Sequence, residues 1–237
     1  MKTILLKFGG PMQAWGTGSY FETRKTDLYP SKSAVIGLLA AAYGYRRHEE
    51  GHIQRLNRLN FAVRIDQHGR LLRDYHIAEK YDKKGEFERT YVTNRYYLED
   101  AVFVVALGHE DDAWIDEISQ VLARPYFQPF MGRRSLPIPA NFLIGVEEGG
   151  PIECLTKLEW QAGEWFKRER RDQRSLTVIA DSNLLARGNR TMRKDRVVSF
   201  DQKNRHFLYR YESKLEIPNP SQIEQTDHDA FGAIGGV

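Results

Sequence analysis

The residues best suited to chemistry in this sequence are basic and aromatic side chains set beside glycines. Gly132-Arg133-Arg134-Ser135 lies in the proline-bounded stretch 125–139, which also holds Tyr126, Phe127 and Phe130. A glycine there can turn successive backbone N–H groups toward one anion, and two guanidinium forks match the geometry of phosphate. The same letters suit a rigid proline-rich connector carrying two surface arginines. A second loop, Gly10-Pro11-Met12-Gln13-Ala14-Trp15-Gly16, holds Met12, Gln13 and Trp15 between strand-breaking residues. Its Trp15 either stacks on a base or fills core space beneath the loop. Arg24, Lys25, Lys32, Arg73 and Arg95 each lie near an aromatic residue or a glycine turn, and two basic runs occupy 167–171 and 187–196. Basic groups interleaved with flat rings suit single-stranded nucleic acid, because the cations follow the phosphates while the rings take the bases. RNA binding is therefore the leading expectation, although the aromatic strand motif of an ordinary RNA-recognition module is absent.

Other constellations are weaker. His76, after Asp74 and Tyr75, is the best general acid or base, and with Tyr43 or Tyr75 it would support metal-independent RNA cleavage; a hydrogen-bonded structural histidine is the alternative. His48-Glu49-Glu50-Gly51-His52 matches the H-E-x-x-H zinc pattern. It is preceded by Tyr45-Arg46-Arg47 and contains Gly51, which costs a helix ~1 kcal/mol, so it reads as a solvated connector. No metal or cofactor is expected, no Ser/His/Asp arrangement stands out, and without a Walker pattern nucleotide triphosphate hydrolysis is not indicated. The lone Cys154 excludes an intrachain disulfide and a cysteine-based metal cluster. No apolar run approaches the ~20 residues of a membrane span, so a cytoplasmic protein without membrane contact is expected.

Elements must position these groups. The chain has 237 residues, 41% of them hydrophobic, which is enough for a sizeable core, and a net charge of +3 that permits an anionic partner without requiring one. Disorder is expected at most near the glycine-containing end, 227–237. Residues 4–8 read as a strand stopped by Gly9-Gly10-Pro11, and 34–43 as a helix entered through Ser31-Lys32-Ser33. A short helix follows near 53–59. Residues 61–65 then alternate as a strand, and Gln67-His68-Gly69-Arg70 reads as a turn that pairs them with 71–77 in a hairpin. The charged stretch 79–89, flanked by Tyr75, Tyr91, Tyr96 and Tyr97, suggests a long projecting hairpin. Residues 101–107 form an all-apolar strand, 111–123 an amphipathic helix with Trp114, Ile115, Ile118 and Leu122 on one face, and 141–146 a last strand. The order strand, helix, strand, strand, helix, strand is the α+β split pattern of ferredoxin-like domains. Residues 1–148 are assigned to that domain and 149–237 to a smaller β-rich region, with strand-like runs at 152–160, 176–180 and 206–217.

The stretches GPMQAWG, GLLAAAYG, LRDYHIA, YYLEDAVFVVAL and PFMGRRSLPIP resemble, in order and spacing, the CasD family of CRISPR-associated RAMP subunits from type I-E Cascade complexes. The resemblance covers about residues 1–146. It implies a RAMP fold with a β-hairpin thumb, here about 75–97, with Lys80, Lys83, Lys84, Arg89 and Arg95 as its basic contacts. It also implies a non-catalytic role: holding the 5′ handle of crRNA, with the thumb on a CasC-like backbone subunit, a CasA-like large subunit alongside, and target DNA met only indirectly. The residues expected to bind RNA are Met12, Gln13, Trp15, Arg24, Ser31, Lys32, Ser33, Arg73, Tyr75, His76, Arg95, Gly132, Arg133, Arg134 and Ser135. A metal-independent endoribonuclease that processes repeat RNA is the alternative, and a purely structural assembly protein a third.

Overall fold

The computed structural model describes residues 1–16, 22–186 and 188–221. Arg187 of the second basic run and the C-terminal residues 227–237 lie outside them. In chain order the elements are β1 (Lys2–Gly9), β2 (Met12–Gln13), β3 (Thr23–Arg24), α1 (Lys32–Tyr43), α2 (Glu50–Leu56), β4 (Asn60–Gln67), β5 (Arg70–Tyr81), β6 (Phe87–Glu99), β7 (Val102–His109), α3 (Asp112–Ala123) and β8 (Leu143–Glu148). After them come α4 (Pro151–Lys157), α5 (Glu164–Glu169), β9 (Ser175–Asp181), β10 (Arg190–Ser199) and β11 (His206–Pro218).

Seven strands form one sheet in the order β10-β11-β9-β4-β7-β1-β8, and every pairing in it is antiparallel. Its central strands are buried on both faces, which is why 102–107 reads as a continuous apolar run. On one face Ile4, Leu6, Phe8, Phe61, Val63, Phe103 and Val105 pack with α1 and α3 through Val35, Leu39, Ile115 and Ile118. On the other, Leu5, Ala62, Val104 and Ala106 pack with Leu155 of α4 and Trp160. Each fully buried side chain of this size contributes about 1.5–3 kcal/mol. The helices start and stop where their ends are chemically met. Ser31 caps α1 by accepting from Ala34 N, Gly44 ends it at φ +80°, and Asp111 caps α3 through Trp114 N.

Two sequence expectations are corrected. The strand expected at 152–160 is largely helix α4, with Pro151 at its first turn and Cys154 and Leu155 buried. The helix is tied down by fully buried Arg64. That residue makes a two-pronged bond to Asp66, at 2.7 and 2.8 Å, and donates to the carbonyls of Leu155, Leu158 (2.6 Å) and Glu159 (2.8 Å). Strands β4 and β5 do not pair with each other. β4 lies between β7 and β9, while β5 pairs along its length with β6 in a second sheet of order β2-β6-β3. The chain changes sheets at Gly69, where an added Cβ would sit 2.7 Å from Glu99 O and from Ala101 Cβ, so only glycine allows the approach. The charged stretch 79–89 closes the β5–β6 hairpin. Asp82 Oδ1 accepts from Lys84 N and Glu86 N, Gly85 takes φ +84°, and every residue from 77 to 90 is exposed. Strands β9 to β11 continue the sheet beyond residue 148, so both parts of the expected division contribute strands to it.

Candidate nucleic-acid interface

The two glycine loops meet. Ala14 N donates to Met131 O at 3.2 Å, Gly10 lies against the Met131 side chain, and Gly132, at φ +83°, is so close to Ala14 that a Cβ would fall 1.6 Å from its carbonyl oxygen. No other residue type fits there. The contact fixes where Arg133 stands. Its Nη2 donates to Arg24 O and Tyr96 O, both at 3.0 Å, and its guanidinium lies 4.2 Å over the Tyr97 ring.

Residues 94–96 of β6 form the hub of the site. β3 pairs with them in parallel, setting Arg24 beside Arg95. β5 pairs on the other side, with Arg73 opposite Tyr96, Asp74 opposite Arg95 and Tyr75 opposite Asn94. Arg73 Nε donates to Asn94 Oδ1 at 2.9 Å. Strand alternation places Arg24 and Arg95 on the face of Tyr97, over which Arg133 lies, and Arg73 on the opposite face with Asn94 and Tyr96. Arg95 Nε and Arg133 Nη1 have no hydrogen-bond partner among the described residues. Arg134 and Ser135 are exposed beside the hub, as is Tyr75. Met12, exposed on β2, faces Glu99 of β6. His76 pairs with Asp74 two residues away, which holds its ring on the strand that carries Arg73.

Several expected site residues face inward instead. Trp15 is 1% exposed, meets Phe8 edge-to-face at 5.1 Å and donates its indole N–H to Gln13 Oε1 at 3.0 Å. Gln13 is equally enclosed, and its Nε2 donates to Ala101 O at 2.7 Å and Phe8 O at 3.3 Å. The pair props the loop and leaves Met12 to reach solvent. Ser31, Lys32 and Ser33 are also buried, away from the hub. Lys32 Nζ is held by Asp181 (2.8 Å) and Leu59 O (2.7 Å), and burial pushes its pKa down. It belongs to an ionic cluster beneath β10 and β11, in which Arg210 bonds Asp195, Asp181 and Glu212 while Arg193 bonds Asp27 and stacks on Tyr29. Burial and a bond to Glu212 push Tyr29 up to about 12.

Sequence reasoning missed Asn94, Tyr96 and Tyr97 as members of the site, because Tyr96 contributes a main-chain carbonyl and Tyr97 the face of a buried ring. Of the H-E-x-x-H stretch, His48 precedes α2 and His52 stacks on Tyr45 at 4.7 Å. Burial raises the Cys154 thiol pKa. Among the described residues no helix is long and apolar enough to cross a membrane.

Comparisons with known proteins bear on the family of the chain. Residues 3–211 match the family model described as CRISPR-associated protein (Cas_Cas5). The chain is 34% identical over 181 residues to the CRISPR system Cascade subunit CasD of Escherichia coli (strain K12), covering 70% of this chain and 81% of that one. Among solved structures it is similar to a chain of a CRISPR RNA-guided surveillance complex, with 32% identity, a TM-score of 0.74 and 91% of each chain covered. A crystal structure of a Cas protein is similar at 28% identity and TM-score 0.64, over 92% of this chain and 95% of that one.

Proposed function

The chain belongs to the CRISPR-associated Cas5 family, and we propose that it is the subunit of a type I-E Cascade complex that holds the 5′ handle of crRNA without cleaving it. The observation that carries this reading is the interlocking of the two glycine loops, which anchors Arg133 beside Arg24 and Arg95 on one face of β3 and β6 and leaves Arg134 exposed next to them. Cations grouped around main-chain turns suit phosphates, and exposed Met12 and Tyr75 supply flat or soft surfaces for bases.

The same reading assigns the rest of the molecule. The order β4-β7-β1-β8, with α1 and α3 on one face, fits a ferredoxin-like RAMP core. The β5–β6 hairpin, exposed from 77 to 90 and carrying Lys80, Lys83, Lys84 and Arg89, serves as the thumb against a CasC-like backbone subunit. A CasA-like large subunit sits alongside, target DNA is met through the complex, and the protein acts in the cytoplasm. Copurification from cells with and without a CRISPR array tests the reading, with handle-containing RNA and the backbone subunit expected on the wild-type chain. Arg133→Ala with Arg134→Ala weakens handle retention. A chain recovered with neither RNA nor partner, or one that cuts labelled repeat RNA in EDTA, overturns the assignment.

A further inference from the structure

Residues 190–196 of the second basic run lie in β10, away from the handle site, and the fold gives them a defined place. β10 is an edge strand of the seven-stranded sheet and, among the described residues, pairs with β11 alone. Along β11, alternate residues on one face run Ile217, Leu215, Ser213, Tyr211, Tyr209. Ile217 and Leu215 pack in the core beneath α4 and Trp160, whereas Tyr211 and Tyr209 are 51% and 56% exposed. The row leaves its cover after Ser213. Across the strand, Met192 is paired with Tyr211 and is 57% exposed, and the Lys194 ammonium lies 5.8 Å over the Tyr209 ring. Arg196 pairs with exposed Leu208, and Arg190 begins the strand.

The opposite face of these strands is fully engaged. Asp195, Arg193, Arg210 and Glu212 point into the buried ionic cluster, which neutralises the acids of this region internally. On the uncovered face, Arg190, Lys194 and Arg196 form no ion pair among the described residues. Turning Asp195 and Glu212 to one side and leaving cations and flat rings on the other makes a surface complementary to an anion that also carries planar groups. An acidic peptide would satisfy the charge but give two tyrosines spaced two residues apart little to stack on. Single-stranded nucleic acid satisfies both, since bases stack on aromatic residues of a sheet while the phosphates follow the cations.

We propose that the outer face of β10 and β11, built on Tyr209, Tyr211 and Met192 with Arg190, Lys194 and Arg196, is a second binding platform for single-stranded nucleic acid, separate from the handle site. The platform reads no defined sequence, because stacking and phosphate contacts do not discriminate bases.

The test uses the full chain carrying Arg133→Ala and Arg134→Ala, so that the handle site is disabled, with fluorescent oligothymidylate and oligouridylate strands of about twelve nucleotides. Binding of either strand is expected in this background, the DNA and RNA arms reporting which sugar is preferred. Tyr209→Ala with Tyr211→Ala weakens it at least about tenfold, whereas Tyr209→Phe with Tyr211→Phe, which keeps both rings, restores it. Changing Arg190, Lys194 and Arg196 to Gln lowers the salt slope by up to about two, as loss of three phosphate contacts should. Ultraviolet crosslinks are expected at Tyr209 or Tyr211. The inference is overturned if neither strand binds in this background, if the alanine or glutamine variants bind as well as their parent, or if the face captures only another subunit. Handle retention by the chain with an intact Arg133 and Arg134 is a separate readout, so failure of this platform leaves the handle assignment standing and failure of the handle leaves the platform testable.

Discussion

Gly132→Ala is the sharpest test of how the site is built. An L residue held in the left-handed region costs about 1–2 kcal/mol, and Gly132 sits at φ +83°. A steric effect adds to it. The new methyl would lie 1.6 Å from Ala14 O, where ordinary contact begins near 3.4 Å, and the obstacle is backbone and cannot swing aside. The two loops must part, and the Ala14 N to Met131 O bond goes with them, a further ~0.5–1.5 kcal/mol. A total of about 2–4 kcal/mol lowers the melting temperature of a chain this size by roughly 5–15 °C. Arg133, the next residue, then loses its register on Arg24 O and Tyr96 O, so affinity for handle RNA falls with stability. Thermal melting and RNA binding measured together check both effects. Gly51→Ala is the matched control: nothing lies within 4 Å of its added Cβ, and at this exposed position of helix α2 it stabilises by ~0.5–1 kcal/mol. If Gly132→Ala melts and binds like wild type, the loops do not depend on this contact and the reasoning fails.

Three further outcomes follow from buried polar groups. Gln13→Ala strands the Trp15 indole N–H and frees the carbonyls of Phe8 and Ala101, costing about 2–3 kcal/mol in urea unfolding although the residue is absent from the surface. Arg210→Ala removes the common partner of Asp181, Asp195 and Glu212 and leaves buried carboxylates facing one another, a loss of about 3–5 kcal/mol that acidification partly relieves. Tyr29 holds its proton to about pH 12, whereas the unfolded phenol loses it near its ordinary value of 10. Its contribution is therefore full below pH 10 and disappears as pH rises through 12. Lys32, lowered by burial, changes in the opposite sense, so the difference between wild type and Tyr29→Phe across this range isolates the tyrosine.

Much of the fold was legible because its periodicities are local. The apolar run of β7, the stripe of Trp114, Ile115, Ile118 and Leu122 on α3, and the Ser31 cap of α1 each carry their own signal. Pairing partners were not local. A turn with good hairpin chemistry at 67–70 sends β5 into another sheet, since Gly69 is required by a contact with Glu99 and Ala101 that only the tertiary structure reveals. Likewise 152–160 reads as strand by apolar content, but the buried Arg64 of β4 needs carbonyl acceptors at a helix end, and residues 155–159 supply them. For the site, both loops stand out in the sequence by their glycine, proline and aromatic content. The direction in which each side chain points does not, because in a two-residue strand such as β2 a shift of one position exchanges inside for outside.

That exchange explains why short stretches here look functional while only some of their residues can touch a ligand. In the first loop Gln13 and Trp15 turn inward and Met12 outward. In the second, Arg133 is spent on two carbonyls and the Tyr97 ring, and Arg134 stands free in solvent. The distinctive residue of each pair builds the loop, and its plainer neighbour meets the partner. Lysine substitution separates the two roles. Arg134→Lys keeps a point charge for a phosphate, so handle affinity and its salt slope stay close to wild type. Arg133→Lys cannot bridge two carbonyls while lying flat on a ring, so it lowers both the melting temperature and the affinity, leaving the salt slope nearly unchanged because the phosphate contacts remain. Equal losses from the two substitutions, or a reduced slope from Arg133→Lys alone, would mean that Arg133 itself holds the phosphate and that its carbonyl contacts are given up when RNA binds.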